Sequence, residues 1–193
     1  FGFATTNTNA VTAISNVGSC LNYTASGNTF TNLSVNCSAK FIFFNYFYSM
    51  PAGGSQTFNN NSIVTGFSKT AAGGTVTCFT TGGSSPNGTT HTKTNNNFSN
   101  ITVTGATGIA GVVNTDGAGT SPTKTCTGNT FSNWTGGTTA ITVISYSYIG
   151  ATTSSISNNT ISGISSQAAI TGISITNTFA GATTLNIASN SVT

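Results

Sequence analysis

An asparagine followed two residues later by a large apolar residue, with another apolar residue three or four places beyond, recurs along the chain. It occurs at Asn28-Thr29-Phe30 (then Leu33), Asn61-Ser62-Ile63 (Phe67), Asn96-Asn97-Phe98 (Ile101), Asn129-Thr130-Phe131 (Trp134) and Asn159-Thr160-Ile161 (Ile164), and opens again at Asn190-Ser191-Val192. Successive asparagines lie 33, 35, 33, 30 and 31 positions apart. A unit of about 32 residues repeated through a whole chain means a solenoid, propeller or array. Such a unit cannot bury its apolar face alone, so neighbouring copies must stack.

The units read as strands. Gly, Thr, Ser and Asn dominate, and the apolar content is β-branched or aromatic and tends to alternate with period two, which argues against helix anywhere. Val11, Ala13, Ile14 and Val17 form one short strand, and Leu21, Tyr23 and Ala25 the next. The run Phe41 to Tyr48 has counterparts at Thr75 to Phe79, Gly108 to Val113, Ala140 to Tyr146 and Ala169 to Ile175. Gly/Ser/Pro-rich joints separate them at 51–55, 82–88, 116–122, 136–137 and 150–153. The expectation is an all-β parallel β-helix, or β-solenoid, of about six coils in a single domain, 1–193.

Stacking in register places Phe30, Ile63, Phe98, Phe131, Ile161 and Val192 in one interior column, each large side chain contributing about 1.5 to 3 kcal/mol on burial. Asn28, Asn61, Asn96, Asn129, Asn159 and Asn190 should mark a corner, since Asn tolerates a left-handed backbone. Their amides can also bond to the copies above and below, as in stacked Asn ladders. An ordinary turn asparagine is the plainer alternative.

The ends continue the pattern. Read through from Asn190-Ser191-Val192-Thr193 into Phe1-Gly2-Phe3, the chain spells a match to Asn61 through Phe67, and Asn190 to Asn28 through this join is again 31 residues. These seven residues would form a head-to-tail junction, and a contact that does not close generates a filament. At about 4.8 Å per coil, six coils predict an axial repeat of roughly 29 Å. One period of a longer tandem-repeat polypeptide fits the same arithmetic. The start at Phe, without Met or a signal-like segment, suggests a processed product or an excised fragment.

Composition narrows the function. The 193 residues include one acidic residue, Asp116, one histidine, His91, four lysines (Lys40, Lys69, Lys93, Lys124) and no Arg or Glu. Ordinary domains carry about a quarter charged residues; a polar, nearly uncharged surface has little self-repulsion and favours association. A net charge of +3, scattered, lacks the clustered basic face of a nucleic-acid binder. The longest apolar run, Phe41 to Tyr48, is interrupted by Asn45 and falls far short of the roughly 18 residues of a membrane span. The lysines read as solvated surface charges and Asp116 as a turn residue. His91 has no acidic orienter and no clustered ligands, and glycoside chemistry needs two carboxylates where Asp116 is alone. Gly105 to Gly111 does not fit dinucleotide spacing. The expectation is therefore no enzyme, no metal and no cofactor.

Cys20, Cys37, Cys78 and Cys126 lack metal-type spacing and suit an oxidising, extracellular setting with disulfides. Cys20 to Cys37 and Cys78 to Cys126 are the more local of three connectivities, with four buried free thiols as the other reading. Ile42 and Phe47, aligned with Thr142 and Ser147, should face outward as a lateral interface, unless a long loop covers them. Sequons such as Asn22-Tyr23-Thr24, Asn87-Gly88-Thr89, Asn100-Ile101-Thr102 and Asn133-Trp134-Thr135 leave glycans open as partners, at about the frequency chance provides.

The phrase Asn159-Thr160-Ile161-Ser162-Gly163-Ile164 resembles the right-handed parallel β-helix repeats of the pectin-lyase-like superfamily, and is most similar to Asn/Thr/Gly-rich versions in secreted bacterial surface proteins. The resemblance implies the fold and a place outside the cell or on its surface. The enzymes among those relatives use clustered acidic residues with Arg or Lys, which this chain does not match. The leading expectation is a structural filament whose partner is another copy of itself. The alternatives are a carbohydrate-binding adhesin and an ice-binding solenoid presenting Thr75-Val76-Thr77, Thr92-Lys93-Thr94, Thr102-Val103-Thr104 and Thr123-Lys124-Thr125. Those pairs stand at differing offsets from the repeated asparagine, which weighs against a flat array.

Overall fold

The computed structural model describes residues 2–117, 122–149, 153–178 and 184–193. The chain winds as a parallel β-solenoid of about five turns with roughly 33 residues per turn, and no helix is present among the described residues. Three parallel sheets of seven, six and six strands form its faces. Each turn contributes one strand to each sheet, so sequence period becomes vertical alignment.

The first sheet follows the repeated asparagines and contains Leu33–Cys37, Phe67–Lys69, Ile101–Val103, Thr130–Thr135, Thr160–Ser165 and Ser191–Val192, with Gly2–Asn7 at its opposite edge. The second contains Val11–Asn16, Phe41–Phe47, Thr75–Gly82, Gly108–Asn114, Ile141–Ile149 and Ile170–Thr178. The third contains Asn22–Ser26, Ser55–Asn59, Thr90–Thr94, Thr123–Thr127, Ser154–Ser157 and Leu185–Ala188. Strand Gly2–Asn7 sets Phe3 opposite Val35, which itself pairs with Lys69. Phe3 is thus displaced by two residues from the Phe67 position that matching the chain ends suggests; Phe1 lies outside the described residues.

In-register pairing builds the core as columns. Phe30 pairs with Ile63, Phe131 with Ile161, and Ile161 with Val192, while bridges at Asn97 carry Phe98 between Ile63 and Phe131. Ile63, Phe98, Phe131 and Ile161 are buried; Phe30 is half-buried and Val192, in the last coil, is 61% exposed. Around Phe98 the rings of Phe30, Phe43, Phe44 and Phe79 lie with centroids 6.5, 5.3, 6.2 and 4.9 Å away, within the range where aromatic pairs add to simple area burial. One coil on, Gly111 leaves room for Phe131: a Cβ there would stand 2.3 Å from Val143 O and 3.0 Å from the Phe131 ring.

The corner differs in one detail from the sequence expectation. The left-handed backbone belongs to the residue before each repeated asparagine: Gly27, Asn60, Asn95, Gly128, Asn158 and Ser189, with φ of 67, 54, 54, 68, 55 and 54°. The turn is made one residue early because the next asparagine must send its side chain into the solenoid. A second left-handed column, Asn32, Gly66, Asn100, Asn133 and Gly163, bends the chain between the two apolar positions of the phrase.

Candidate functional site

Two polar structures lie inside the coil. The first is the asparagine column. Asn28, Asn61, Asn96, Asn129 and Asn159 each give their side-chain Nδ2 to Oδ1 of the next, at 2.8, 2.9, 2.8, 2.9 and 2.9 Å. Each backbone N–H donates to that same oxygen. From Asn61 onward the second Nδ2 hydrogen reaches a main-chain carbonyl, those of Ala25, Phe58, Lys93, Cys126 and Ile156. Every buried amide in the middle of the column is therefore satisfied at both ends, which is what burial of a polar group demands. The bonding is directional: Asn28 Oδ1 accepts none of these bonds, and the donors of Asn190 face onward without a further rung.

The second structure is a cluster of ionisable groups at the corner between the second and third sheets. In the third sheet, register pairing stacks Tyr23, Gln56, His91, Lys124, Ser154 and Leu185 in one inward column and Ala25, Phe58, Lys93, Cys126, Ile156 and Ile187 in the next. His91, Lys93 and Lys124 consequently point into the interior, and all three are buried. Asp116, just beyond strand Gly108–Asn114, is buried beside them. Its Oδ2 accepts the Ser85 hydroxyl at 2.5 Å and lies 3.4 Å from both His91 Nδ1 and Lys124 Nζ.

These positions correct the sequence expectation for Asp116, His91 and three of the four lysines. Asp116 is a buried counter-ion, His91 does have an acidic neighbour, and Lys69, Lys93 and Lys124 are enclosed, leaving only Lys40 exposed. Lys69 Nζ donates to the carbonyls of Ala71 and Gly73, both at 2.6 Å. Lys124 Nζ donates to Asn114 Oδ1 at 2.7 Å, Asp116 O at 3.1 Å and Tyr148 O at 2.6 Å. Lys93 Nζ has no hydrogen-bond acceptor and sits 5.6 and 5.9 Å from the ring centres of Phe58 and Tyr146, where the ring faces offer partial compensation. The signal was present in the sequence: His91 and Lys124 each stand five residues before a repeated asparagine, and Lys93 three, the offsets at which Tyr23, Ala25 and Phe58 turn inward.

Burial governs the protonation states. It pulls His91 down to about 4 against the attraction of Asp116, so the imidazole is neutral at ordinary pH. Neither ring nitrogen is aligned for a hydrogen bond, despite the short approach to Asp116. Burial likewise lowers Lys93 to about 8, with Asp116 and Cys126 opposing and Lys124 adding. Lys124 is lowered by burial and partly restored by Asp116. For Asp116 burial acts upward, but His91, Lys124, the Ser85 hydrogen bond and Lys93 outweigh it and hold the carboxyl below its usual range. With His91 neutral, Lys124, Ser85 and Lys93 are the partners that matter at pH 7.

No family model, curated protein or solved structure matches the chain.

The remaining candidate residues are dispersed. Cys20, Cys37, Cys78 and Cys126 are free thiols, which overturns the expected disulfides. They occupy separate surroundings: Cys20 Sγ lies 3.1 Å from Tyr48 Oη, Cys37 Sγ reaches Ala39 O, Cys78 is buried in the second sheet, and Cys126 receives Asn129 Nδ2 in the third. Burial raises the Cys126 thiol to about 11 and Cys78 well above its ordinary value, leaving both protonated. Of the expected lateral pair, Phe47 is 56% exposed but Ile42 only 5%, so they form no continuous apolar strip. The sequon residues Asn22, Asn87, Asn100 and Asn133 are all exposed.

The four Thr-x-Thr pairs fall on three different sheets, Thr75-Val76-Thr77 in the second, Thr102-Val103 in the first and the other two in the third, so they form no single array. The register of the third sheet nevertheless builds a hydroxyl lattice of its own on the outer face. Thr24, Thr57, Thr92, Thr125 and Ser155 form one outward column, and Ser26, Asn59, Thr94, Thr127 and Ser157 another. Thr92, Thr94 and Thr125 thus belong to one lattice, spaced about 4.8 Å between coils and roughly 6.6 Å along each strand.

Proposed function

We propose that this protein is structural, extending by coil-on-coil stacking into a filament, either between separate copies or along a longer tandem-repeat polypeptide. The observation that carries this reading is the polarity of the asparagine column. One end presents the unoccupied acceptor Asn28 Oδ1; the other presents the N–H and Nδ2 of Asn190, whose Oδ1 already accepts from Asn159. An Asn190-to-Asn28 contact would repeat the internal rung without new geometry. Apolar side chains are exposed at the same ends: Val17 and Leu21 at one, Ile170, Ile187 and Val192 at the other. Their mutual burial would drive the docking, and the unpaired strand edges of the terminal coils would be joined.

In this reading the work is mechanical and the chain is no enzyme. An extracellular or cell-surface place follows from the resemblance of its coil phrase to secreted bacterial β-helices of the pectin-lyase-like kind; the free thiols lend that place no support. Electron microscopy and fibre diffraction of the purified protein test assembly. Unbranched fibres with a meridional spacing of about 4.8 Å, abolished by Ile187→Lys together with Val192→Lys, are expected. Monodisperse particles at high concentration would overturn the reading.

The Thr/Ser lattice of the third sheet favours a second reading, a binding module for an ordered surface such as ice or packed carbohydrate chains. Regularly spaced hydroxyls and methyls can match a periodic partner. Thermal hysteresis, or retention on insoluble polysaccharide, lost on Thr92→Leu with Thr125→Leu, would establish it; no retention and no hysteresis would remove it.

A further inference from the structure

Most of the buried polar groups in the corner cluster have an evident structural use, but the trio Lys124, Asn114 and Asp116 is set up for more. Lys124 Nζ donates to Oδ1 of the Asn114 carboxamide at 2.7 Å, the oxygen carried by the electrophilic Cγ. Asp116 Oδ2 lies 3.4 Å from the same nitrogen. The Asn114 Nδ2 donates to Thr81 Oγ1 at 2.8 Å, and Thr81 Oγ1 donates in turn to Asp116 Oδ1 at 3.5 Å. Carboxylate, amine and leaving group are thus joined in one ring of contacts. All four residues are buried, and the Tyr146 ring stands 5.8 Å from the amine, so water that would compete as nucleophile is excluded.

We propose that Lys124 and Asn114 join through a self-formed isopeptide bond between Nζ and Cγ, with Asp116 carrying the protons. Asp116 first takes a proton from the Lys124 ammonium. The freed lone pair attacks Asn114 Cγ, and the carbonyl electron pair moves onto Oδ1. Asp116 passes its proton through the Thr81 hydroxyl to Nδ2 and accepts the remaining surplus proton from Nζ. The oxyanion collapses and the C–Nδ2 bond breaks. The nitrogen departs as ammonia and leaves the site as ammonium with the proton last held by Asp116. An ammonium and a primary amide become a secondary amide and an ammonium ion, with the carboxylate unchanged and no oxidant consumed. General acid–base transfer between groups held in contact is the ordinary source of such acceleration.

The product would clamp the end of strand Gly108–Asn114 to the start of strand Thr123–Thr127, fastening the loop between the second and third sheets in a chain whose cysteines are all free. This inference stands independently of filament formation.

The mass of the folded, purified, reduced chain tests it directly. The expected value is lower than that of the sequence by one ammonia. Because Asp116 is the chain's one acidic residue, a protease that cuts before Asp should yield two fragments, 1–115 and 116–193, that remain joined under reducing, denaturing conditions. Lys124→Met should restore the full mass and release the fragments, and Asp116→Asn should leave the bond unformed in a chain that still folds by circular dichroism. A full-mass wild-type chain after prolonged incubation at neutral pH would overturn the proposal, whatever the variants do. So would separation of the fragments, including the case in which the lost ammonia maps to a succinimide at Asn87-Gly88. Undiminished bond formation in Asp116→Asn would overturn the role given to the carboxylate.

Discussion

Asn96 donates both its backbone N–H and its Nδ2 to Oδ1 of Asn129, 3.1 and 2.8 Å away, across 33 residues of chain. Asn129 in turn supplies Lys93 O and Asn159 Oδ1 from its own Nδ2. Asn129→Ala would strand two buried donors of Asn96 and remove the Nδ2 bond to Lys93 O, while Asn159 Oδ1 keeps the backbone N–H of residue 129. At about 1 to 3 kcal/mol for each unsatisfied group, partly relieved by relaxation, the loss should be at least about 3 kcal/mol in urea unfolding. Asn190→Ala, at the last rung, should cost far less. Equal costs at the two sites would show that the column does not act as a ladder.

The residue before the ladder asparagine carries the turn, and Asn95 at φ 54° is the accessible case. An Ala there must occupy the left-handed region, at a cost of roughly 1 to 2 kcal/mol, whereas Gly adopts it without strain. Asn95→Ala should therefore lower the denaturation midpoint and Asn95→Gly leave it nearly unchanged. The opposite order would mean that the Asn95 side chain, and not its backbone, matters.

His91 makes stability fall with acid. Its folded value of about 4 lies below the ordinary 6.5, so the unfolded chain binds the proton more readily between these values. Stability is complete above about pH 6.5 and declines as pH drops towards 4. The total is about 3 kcal/mol at 1.36 kcal/mol per unit. Asp116, lowered from its ordinary 3.8, begins to subtract only below that value. Urea unfolding of His91→Gln across pH 4 to 7 should show a flattened slope, with Gln56 one coil away as a precedent for that side chain in the same column. An unchanged slope would assign the acid sensitivity elsewhere.

Lys93 is the buried cation without an acceptor. Its column otherwise holds Ala25, Phe58, Cys126, Ile156 and Ile187. Replacing a poorly compensated buried charge by an apolar side chain of similar size commonly stabilises by about 1 to 4 kcal/mol. Lys93→Met should raise the melting temperature at pH 7, and the gain should shrink above pH 8, where the native lysine is neutral. A lowered melting temperature would show that the ammonium supports Asp116 more than it costs.

Much of this molecule could be read from residue types because an in-register solenoid turns sequence distance into vertical distance. Phe98 stacks on Ile63 since each follows its ladder asparagine by two. The third sheet was harder to read. Its inward positions hold Gln56, His91, Lys93 and Lys124, so polarity alternates without telling the inner face from the outer, and Thr on the outside looks no more polar than Lys within. Ile42 shows the converse: it occupies an outward column with Thr12, Thr77 and Thr142 yet is covered. The cysteines failed as a guide because pairing needs spatial proximity, and the register sends them to different faces.

The sequence by itself determined the period, the strand class, the asparagine corner and the apolar columns, because local repetition is enough to specify how identical units stack. Only the tertiary structure decided that the ionisable residues share one buried corner. Asp116, His91, Lys93 and Lys124 come from two successive coils and the loops between sheets, and their meeting depends on register, loop path and exclusion of water, which no single repeat contains.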